Sequence, residues 1–302
     1  MSRASGPVRI PEGLEWWRSD AEGAAWLARL PRLVEECAER WSLELGAPFE
    51  AAHVSFVTRV ELADGTKAVL KINFPESETE READALAHWD GDGAVRLLHH
   101  DPSRRALVVE RCEPGRRLWD VPEEEAIPIA ANVLRSLWPP APAEHRFALL
   151  ADEAAVWCAY VTERWERQGR PFERTLLEEA LSFAAEAGSS QGDPVVLHQD
   201  FHGGNVLQAE RRPWLAVDPK PLVGEREFDT ASLVRDRREA LARDPDPRAT
   251  IRRRLDHLAD ELALDRERMR RWGIVHALAW GVRPDYVMED MLACARWLAE
   301  LR

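Results

Sequence analysis

Apolar residues recur three and four positions apart through the first stretch of the chain, at Trp16, Trp17, Trp26, Leu27, Leu30, Leu33, Val34 and Cys37. Glycine and proline interrupt them, so the spacing predicts short helices over residues 11–45. From Ala52 the period changes to two. His53 to Leu62 and Thr66 to Ile72 flank Ala63-Asp64-Gly65, and the Asp-Gly turn predicts a hairpin. Pro75 closes the second strand, and Ser77-Glu78-Thr79-Glu80 has the form of a capping box opening a helix that ends near Trp89. Gly91 to Gly93 stop that helix. Ala94 to His100 and Ala106 to Arg111 then predict two more strands around Asp101-Pro102-Ser103.

After Gly115 helical spacing takes over, with helices expected over 122–138, 143–168 and 172–187 and the linker Pro139-Pro140-Ala141-Pro142 between the first two. Short apolar runs follow at Val195 to Leu197, Asn205 to Ala209 and Trp214 to Val217, set among polar loops. From Asp229 onward the pattern is helical again, punctuated by Pro245, Pro247, Gly273 and Pro284. Strands gathered in one part and helices in the other predict an α+β protein rather than a βαβ repeat. The expected division is an N-terminal strand-rich domain over 1–110, with its helical leading segment, and a mainly helical C-terminal domain over 111–302.

Composition narrows the class. The 302 residues are 45% hydrophobic, enough to fill the cores of two domains, and no apolar run approaches the ~18 residues of a membrane span. The opening MSRASGPVRIPEG lacks the apolar stretch of a secretory signal, and Cys37, Cys112, Cys158 and Cys294 form no CxxC pair. A cytoplasmic protein with reduced thiols is expected, and zinc-finger, disulfide-scaffold and membrane classes fall away. Asp plus Glu number 54 against 41 Lys plus Arg, a formal net charge of -13. That balance repels phosphate backbones, so no nucleic-acid partner is expected. Only Lys67, Lys71 and Lys220 among those cations are lysines, which marks three places where an ammonium is kept in place of a guanidinium.

The chemistry concentrates in Leu197-His198-Gln199-Asp200-Phe201-His202-Gly203-Gly204-Asn205-Val206-Leu207, a polar loop between apolar runs whose two glycines allow tight folding. Trp214-Leu215-Ala216-Val217-Asp218 follows, an apolar strand ending in an acid. An Asp, an Asn five residues later and a second Asp thirteen further on is the order of a kinase catalytic apparatus. There the first Asp accepts the acceptor hydroxyl's proton, while the Asn and the second Asp hold Mg²⁺ on the phosphates. Hard oxygen donors suit that ion. Upstream, Ala68-Val69-Leu70-Lys71 ends a strand in lysine, much like the kinase V-A-I-K strand, from which an ammonium reaches phosphates and pairs with a helix glutamate. Glu78, Glu80 and Glu82 are the candidates for that glutamate. Glu82, at the middle of the expected helix, is preferred, with Glu78 in reserve.

At these residues the chain resembles the aminoglycoside phosphotransferases, and within them the streptomycin 6-kinase group of hydroxyurea and aminoglycoside antibiotic kinases, whose loop reads H-x-D-x-H-x-x-N. Similar stretches include Ile10-Pro11-Glu12-Gly13-Leu14, Trp89-Asp90-Gly91-Asp92-Gly93 with Val95-Arg96-Leu97-Leu98, and Arg212-Pro213-Trp214-Leu215-Ala216-Val217-Asp218-Pro219 with Leu222-Val223-Gly224. The resemblance covers most of the chain from about residue 10. It implies a bilobal protein-kinase-like fold with a small strand-rich N-lobe and a larger helical C-lobe. It also implies ATP as donor, Mg²⁺, and a small hydroxylated acceptor, an aminoglycoside such as streptomycin. Carried over by position, Asp200 is the catalytic base, Asn205 and Asp218 are metal ligands, and Lys71 with Glu82 holds the nucleotide phosphates. Val108-Val109-Glu110-Arg111-Cys112 corresponds to the hinge, where Glu110 and Cys112 offer their backbone to adenine.

Two departures separate the chain from protein kinases. No GxGxxG precedes Lys71, and Pro219-Lys220 follows Asp218 where a protein kinase has Phe-Gly. The eleven residues from Asp218 to Asp229 are also too few for a protein-kinase activation segment, which argues against protein substrates. The acidic balance suits a cationic acceptor.

Other readings remain open at the level of residues. His198-x-Asp200-x-His202 with Asp218 has the ligand types of a metallohydrolase, although Lys71 and Asn205 are then unexplained. A pseudokinase would keep the fold without turnover, and another amino sugar or small hydroxylated metabolite is an alternative acceptor. His198 and His202 are read as loop braces and Asp229 as a helix cap or a brace for the loop. Lys220 is read as a phosphate contact, a partner for an acid, or a surface residue. Trp138, Trp157 and Trp280 are read as core residues that also qualify as acceptor-pocket walls, and the arginine-dense run 235–271 as a solvated helical surface.

Overall fold

The computed structural model describes residues 8–50 and 52–301. Where several short helices were expected, a 3₁₀ turn over Glu12–Ser19 leads into one long helix, α1 (Ala21–Trp41). Asp20 caps it, its carboxylate accepting the Gly23 N–H at 2.7 Å. Pro31 lies inside α1 without ending it. A proline there costs about 3 kcal/mol. The stripe carrying Trp26, Leu27, Leu30, Val34 and Cys37 is buried, and each such large side chain contributes roughly 1.5–3 kcal/mol. Burial outweighs the break.

The strands that follow are β1 (Glu44–Pro48), β2 (Phe56–Glu61) and β3 (Lys67–Ile72). After them come α2 (Glu82–Trp89), β4 (Leu97–Asp101) and β5 (Ala106–Glu110). They form an antiparallel sheet in the order β1-β2-β3-β5-β4. β1 overlaps the tail of the segment expected to be helical. The β2–β3 hairpin forms with Phe56 opposite Ile72 and Glu61 opposite Lys67. Alternation along β3 sends Ala68, Leu70 and Ile72 into one core with Ala106, Val108 and the inner stripe of α1. Lys71 therefore projects from the opposite face.

The helix expected from Ser77 begins only at Glu82. The Thr79 hydroxyl turns back to donate to the Phe74 and Glu76 carbonyls, each at 3.3 Å, and residues 78–81 remain in turns. Glu82 opens α2 and does not occupy its middle.

Beyond residue 115 come α3 (Glu123–Leu137), β6 (Ala148–Leu149), α4 (Leu150–Arg167) and α5 (Arg174–Gly188). The short strands β7 (Val195–Leu197), β8 (Val206–Gln208), β9 (Trp214–Ala216) and β10 (Leu222–Gly224) follow. Three single-turn helices, α6 (Arg226–Asp229), α7 (Ala231–Val234) and α8 (Arg238–Leu241), precede α9 (Pro247–Leu262), α10 (Arg266–Gly281) and α11 (Glu289–Ala299). β10 pairs antiparallel with β7 and parallel with β6, while β8 and β9 form a hairpin. Met269, Trp272, Ile274, Val275, Ala277 and Leu278 are buried around the circumference of α10, so this helix is the axis on which α5, α7, α9 and α11 pack.

Two compact units result. One takes the chain up to Gly115 with Ala209–Arg211, and the other takes Arg116–Gln208 and Arg212–Arg302. Among the described residues no helix is long and apolar enough to cross a membrane. The arginine-dense run is not wholly a solvated surface: Arg235, Arg254 and Arg270 are buried. Arg270 donates to the Leu298 carbonyl and to Glu179, each at 2.8 Å, so its guanidinium is satisfied inside the helical core. Trp138 and Trp157 are buried, and Trp280, half-buried, stacks on His276 with ring centroids 3.9 Å apart.

Candidate active site

Within the N-terminal unit, the face of β3 opposite α1 presents Lys71 to the start of α2. The Lys71 ammonium donates to both Glu82 carboxylate oxygens at 2.7 Å, with both side chains buried. Asn73, two residues further along the same face, donates its amide to Glu82 Oε2 at 2.8 Å and accepts from the Ser55 hydroxyl at 2.7 Å. Ser55, Asn73, Glu82 and Lys71 thus form a buried hydrogen-bonded chain, and each added donor helps to fix where the ammonium stands. Sequence reading missed Asn73 and Ser55. The available signal was a polar residue following an otherwise buried strand.

The Glu110 carboxylate is already occupied. Arg211 donates to it from Nε at 2.8 and 3.0 Å and from one terminal nitrogen at 2.8 Å, and the Arg96 N–H donates at 3.1 Å. Arg211 also reaches the Gly91 and Ala94 carbonyls at 2.8 and 3.1 Å. The Glu110 side chain is thus committed within the N-terminal unit, and its own N–H donates to the Arg96 carbonyl at 2.9 Å. Burial pushes the Cys112 thiol up to about 12, so its side chain is an inert thiol.

Within the C-terminal unit, the loop between β7 and β8 is held from beneath by Asp229, which ends α6 and so is a brace and not a cap. Its Oδ1 accepts from the Gln199 N–H at 2.7 Å, and its Oδ2 accepts from the His198 N–H and the Trp138 indole N–H, each at 3.0 Å. Burial pushes the Asp229 carboxyl up to about 6 against the pull of those three donors. The grip holds Gln199 at φ 67, a left-handed conformation next to Asp200. His198 is buried, its imidazole pushed down to about 4 by desolvation, and its Nε2–H donates to the Val217 carbonyl at 3.0 Å.

Strand pairing brings the two expected metal ligands together. With Val206 opposite Ala216 in the β8–β9 hairpin, Asn205 lies across from Val217, whose N–H donates to the Asn205 carbonyl at 2.9 Å. Asp218 is the next residue, at φ 60. The Asn205 amide donates to the Asp200 carbonyl at 3.0 Å, and its Oδ1 is an oxygen donor of the kind that could serve a metal ion. Asp200 is one-quarter exposed, with Lys220 Nζ 3.6 Å from Oδ2 and His202 Nε2 3.8 Å from Oδ1. Among the described residues no group of three or more His, Cys, Asp or Glu could hold a metal ion. Two oxygen donors suit Mg²⁺, which completes its shell with phosphate and water. A hydrolase site has less support, because His198 is turned into the backbone.

A second brace was not foreseen. Asp236 Oδ2 accepts from the Gly203 N–H at 2.9 Å, and Oδ1 accepts from the Trp119 indole N–H at 2.5 Å. Trp119 lies in the turn Leu118–Asp120, remote in sequence from the loop it touches, so no local pattern reveals it.

Comparison with known proteins places the chain beside a family profile, two relatives and a solved structure. The family profile described as aminoglycoside/hydroxyurea antibiotic resistance kinase matches residues 40–287. The chain is 38% identical to a streptomycin 6-kinase of Streptomyces glaucescens over 269 residues, 88% of this chain and 87% of that one. It is 37% identical to a hydroxyurea phosphotransferase of Kitasatospora aureofaciens over 279 residues, 90% of this chain and 79% of that one. Among solved structures, a choline kinase of Streptococcus pneumoniae superposes with a TM-score of 0.64 at 12% identity, covering 90% of this chain and 99% of that one. That last likeness is one of fold: the α+β architecture is the bilobal, protein-kinase-like one.

Proposed function

Because the chain belongs to the aminoglycoside/hydroxyurea antibiotic resistance kinase family, we propose that it transfers the γ-phosphoryl group of ATP to a hydroxyl of a cationic aminoglycoside, streptomycin first among them. The observation that carries this reading is the braced loop presenting Asp200, with Asn205 and Asp218 joined by strand pairing, in a chain 38% identical to a streptomycin 6-kinase. Asp200 orients the acceptor hydroxyl and takes its proton, a role worth about 10²–10⁴-fold in rate. Lys220, 3.6 Å away, steadies the carboxylate. Asn205 and Asp218 are the residues that would hold Mg²⁺, and when bound that ion neutralises charge on the phosphates. Lys71, braced by Glu82 and Asn73, holds the phosphates, and the main chain at Glu110 and Cys112 receives the adenine.

On this reading the N-terminal unit binds the nucleotide and the helical unit carries the base and the acceptor. A net charge of -13 supports a cationic acceptor. Four free cysteines, none of them exposed, support a cytoplasmic setting. An ADP-release assay with Mg²⁺, run over streptomycin, other aminoglycosides and hydroxyurea, tests the assignment. Turnover on an aminoglycoside is expected. Turnover on hydroxyurea alone would move the chain to the other arm of its family.

A further inference from the structure

Among the described residues Trp119 is one of five large hydrophobic side chains left exposed, at 39%, yet three contacts hold it in place. Its main-chain N–H donates to the Gly203 carbonyl at 3.1 Å, and its indole N–H donates to Asp236. The His202 imidazole stacks on it with ring centroids 5.0 Å apart and planes 15° from parallel. Both loop glycines exist to admit it. A Cβ on Gly203 would lie 2.5 Å from Trp119 Cδ1, and one on Gly204 would lie 2.8 Å from Trp119 Cη2. His202, in turn, stands 3.8 Å from Asp200. An indole held at its N–H by Asp236, stacked on His202 and still 39% exposed is a preorganised surface one ring away from Asp200, whose ordering cost was met on folding.

We propose that the Trp119 face, backed by His202, is the platform on which a cationic nitrogen group of the acceptor stacks while its hydroxyl reaches Asp200. The proposal deepens the aminoglycoside reading and rests on it. A tryptophan face is the best aromatic partner for an ammonium or guanidinium, and the Asp236 carboxylate at the indole edge makes that face more electron-rich. Nearby cations have other work: the Arg237 guanidinium donates to the Leu118 and Val121 carbonyls at 3.1 and 2.7 Å, and Lys220 lies beside Asp200. The platform thus selects cationic amino sugars over a neutral acceptor such as hydroxyurea.

The test combines calorimetric titration of streptomycin with transfer kinetics on the full chain as wild type, Trp119→Ala and Trp119→Phe. Trp119→Ala is expected to weaken streptomycin binding and raise its KM about 10-fold, with the ATP KM within about twofold. Trp119→Phe keeps an aromatic face and should stay within about threefold of wild type. Three results overturn the platform: an alanine variant that binds streptomycin as wild type does, a phenylalanine variant as impaired as alanine, or an ATP KM that rises in parallel. The last two would mark a packing role for the indole. A wild-type chain that binds streptomycin through Trp119 but never phosphorylates an aminoglycoside upholds the platform and sinks the transfer reading. Absence of both binding and transfer sinks both.

Discussion

Replacing Asp229 with asparagine removes the charge beneath the catalytic loop while keeping the side chain's shape. Three donors converge on that carboxylate, at 2.7 Å from Gln199 and 3.0 Å from His198 and Trp138. An amide has one acceptor oxygen, so in either orientation its NH₂ meets a buried N–H and leaves it unsatisfied, at about 1–3 kcal/mol. Against this, burial raises the native carboxyl to about 6, which penalises its ionised form by about 3 kcal/mol at neutral pH. The amide escapes that penalty. The two effects nearly cancel in stability, and thermal unfolding should move by no more than about 5 °C. Activity has no such offset: the orientation that forfeits fewest bonds keeps those of His198 and Trp138 and sets the NH₂ against the Gln199 N–H, beside Asp200. A displacement of ~1 Å there costs about 100-fold, so kcat is expected to fall 10- to 100-fold.

The pH dependence has opposite signs for the two quantities. The folded pKa lies above the unfolded one, so this group's contribution to stability is present at low pH and lost as pH rises through about 6. Activity instead falls below about pH 6, when Asp229 gains a proton and can no longer accept from all three donors. Paired pH–rate profiles and melting curves check this. The asparagine variant should lack the acid limb near pH 6. A variant with kcat within threefold of wild type, or with that limb intact, would refute the reasoning.

Lys71→Met leaves Glu82 buried without its cation. Melting curves should show a loss of about 3–5 kcal/mol, with a higher ATP KM in any folded fraction, and wild-type stability would contradict the buried pairing. Asp218→Asn weakens a hard-oxygen site. The Mg²⁺ concentration for half-maximal rate should rise more than about 10-fold in a chloride-salt titration, and an unshifted curve would remove Asp218 from the metal site.

What the sequence made legible follows from how local each signal is. The β2–β3 hairpin carries its own turn residues, and Lys71 is the penultimate residue of a strand whose alternation is visible, so both were readable. The Asp-Asn-Asp order was visible in the sequence, and the β8–β9 hairpin is what sets Asn205 beside Asp218. The continuous α1 was hidden because proline is a local penalty while the burial that outweighs it is tertiary. Glu82 was the preferred partner of Lys71, but on the expectation of a mid-helix position. Its position at the first turn of α2 depends on Thr79 bonding backwards, which the capping pattern does not reveal. Asp229, Asp236 and Trp119 reach the loop from segments about 30 to 80 residues away. Buried Arg235, Arg254 and Arg270 looked like surface residues because charge patterning along the chain does not show which turns face inward.

The central claim is that Asp200 is the base of an aminoglycoside phosphotransferase. Mass spectrometry of streptomycin incubated with ATP, Mg²⁺ and either wild type or Asp200→Asn tests it most directly. The account predicts a monophosphorylated product from wild type and a rate lower by about 10²–10⁴-fold from the variant. An Asp200→Asn enzyme that phosphorylates streptomycin at the wild-type rate would contradict it.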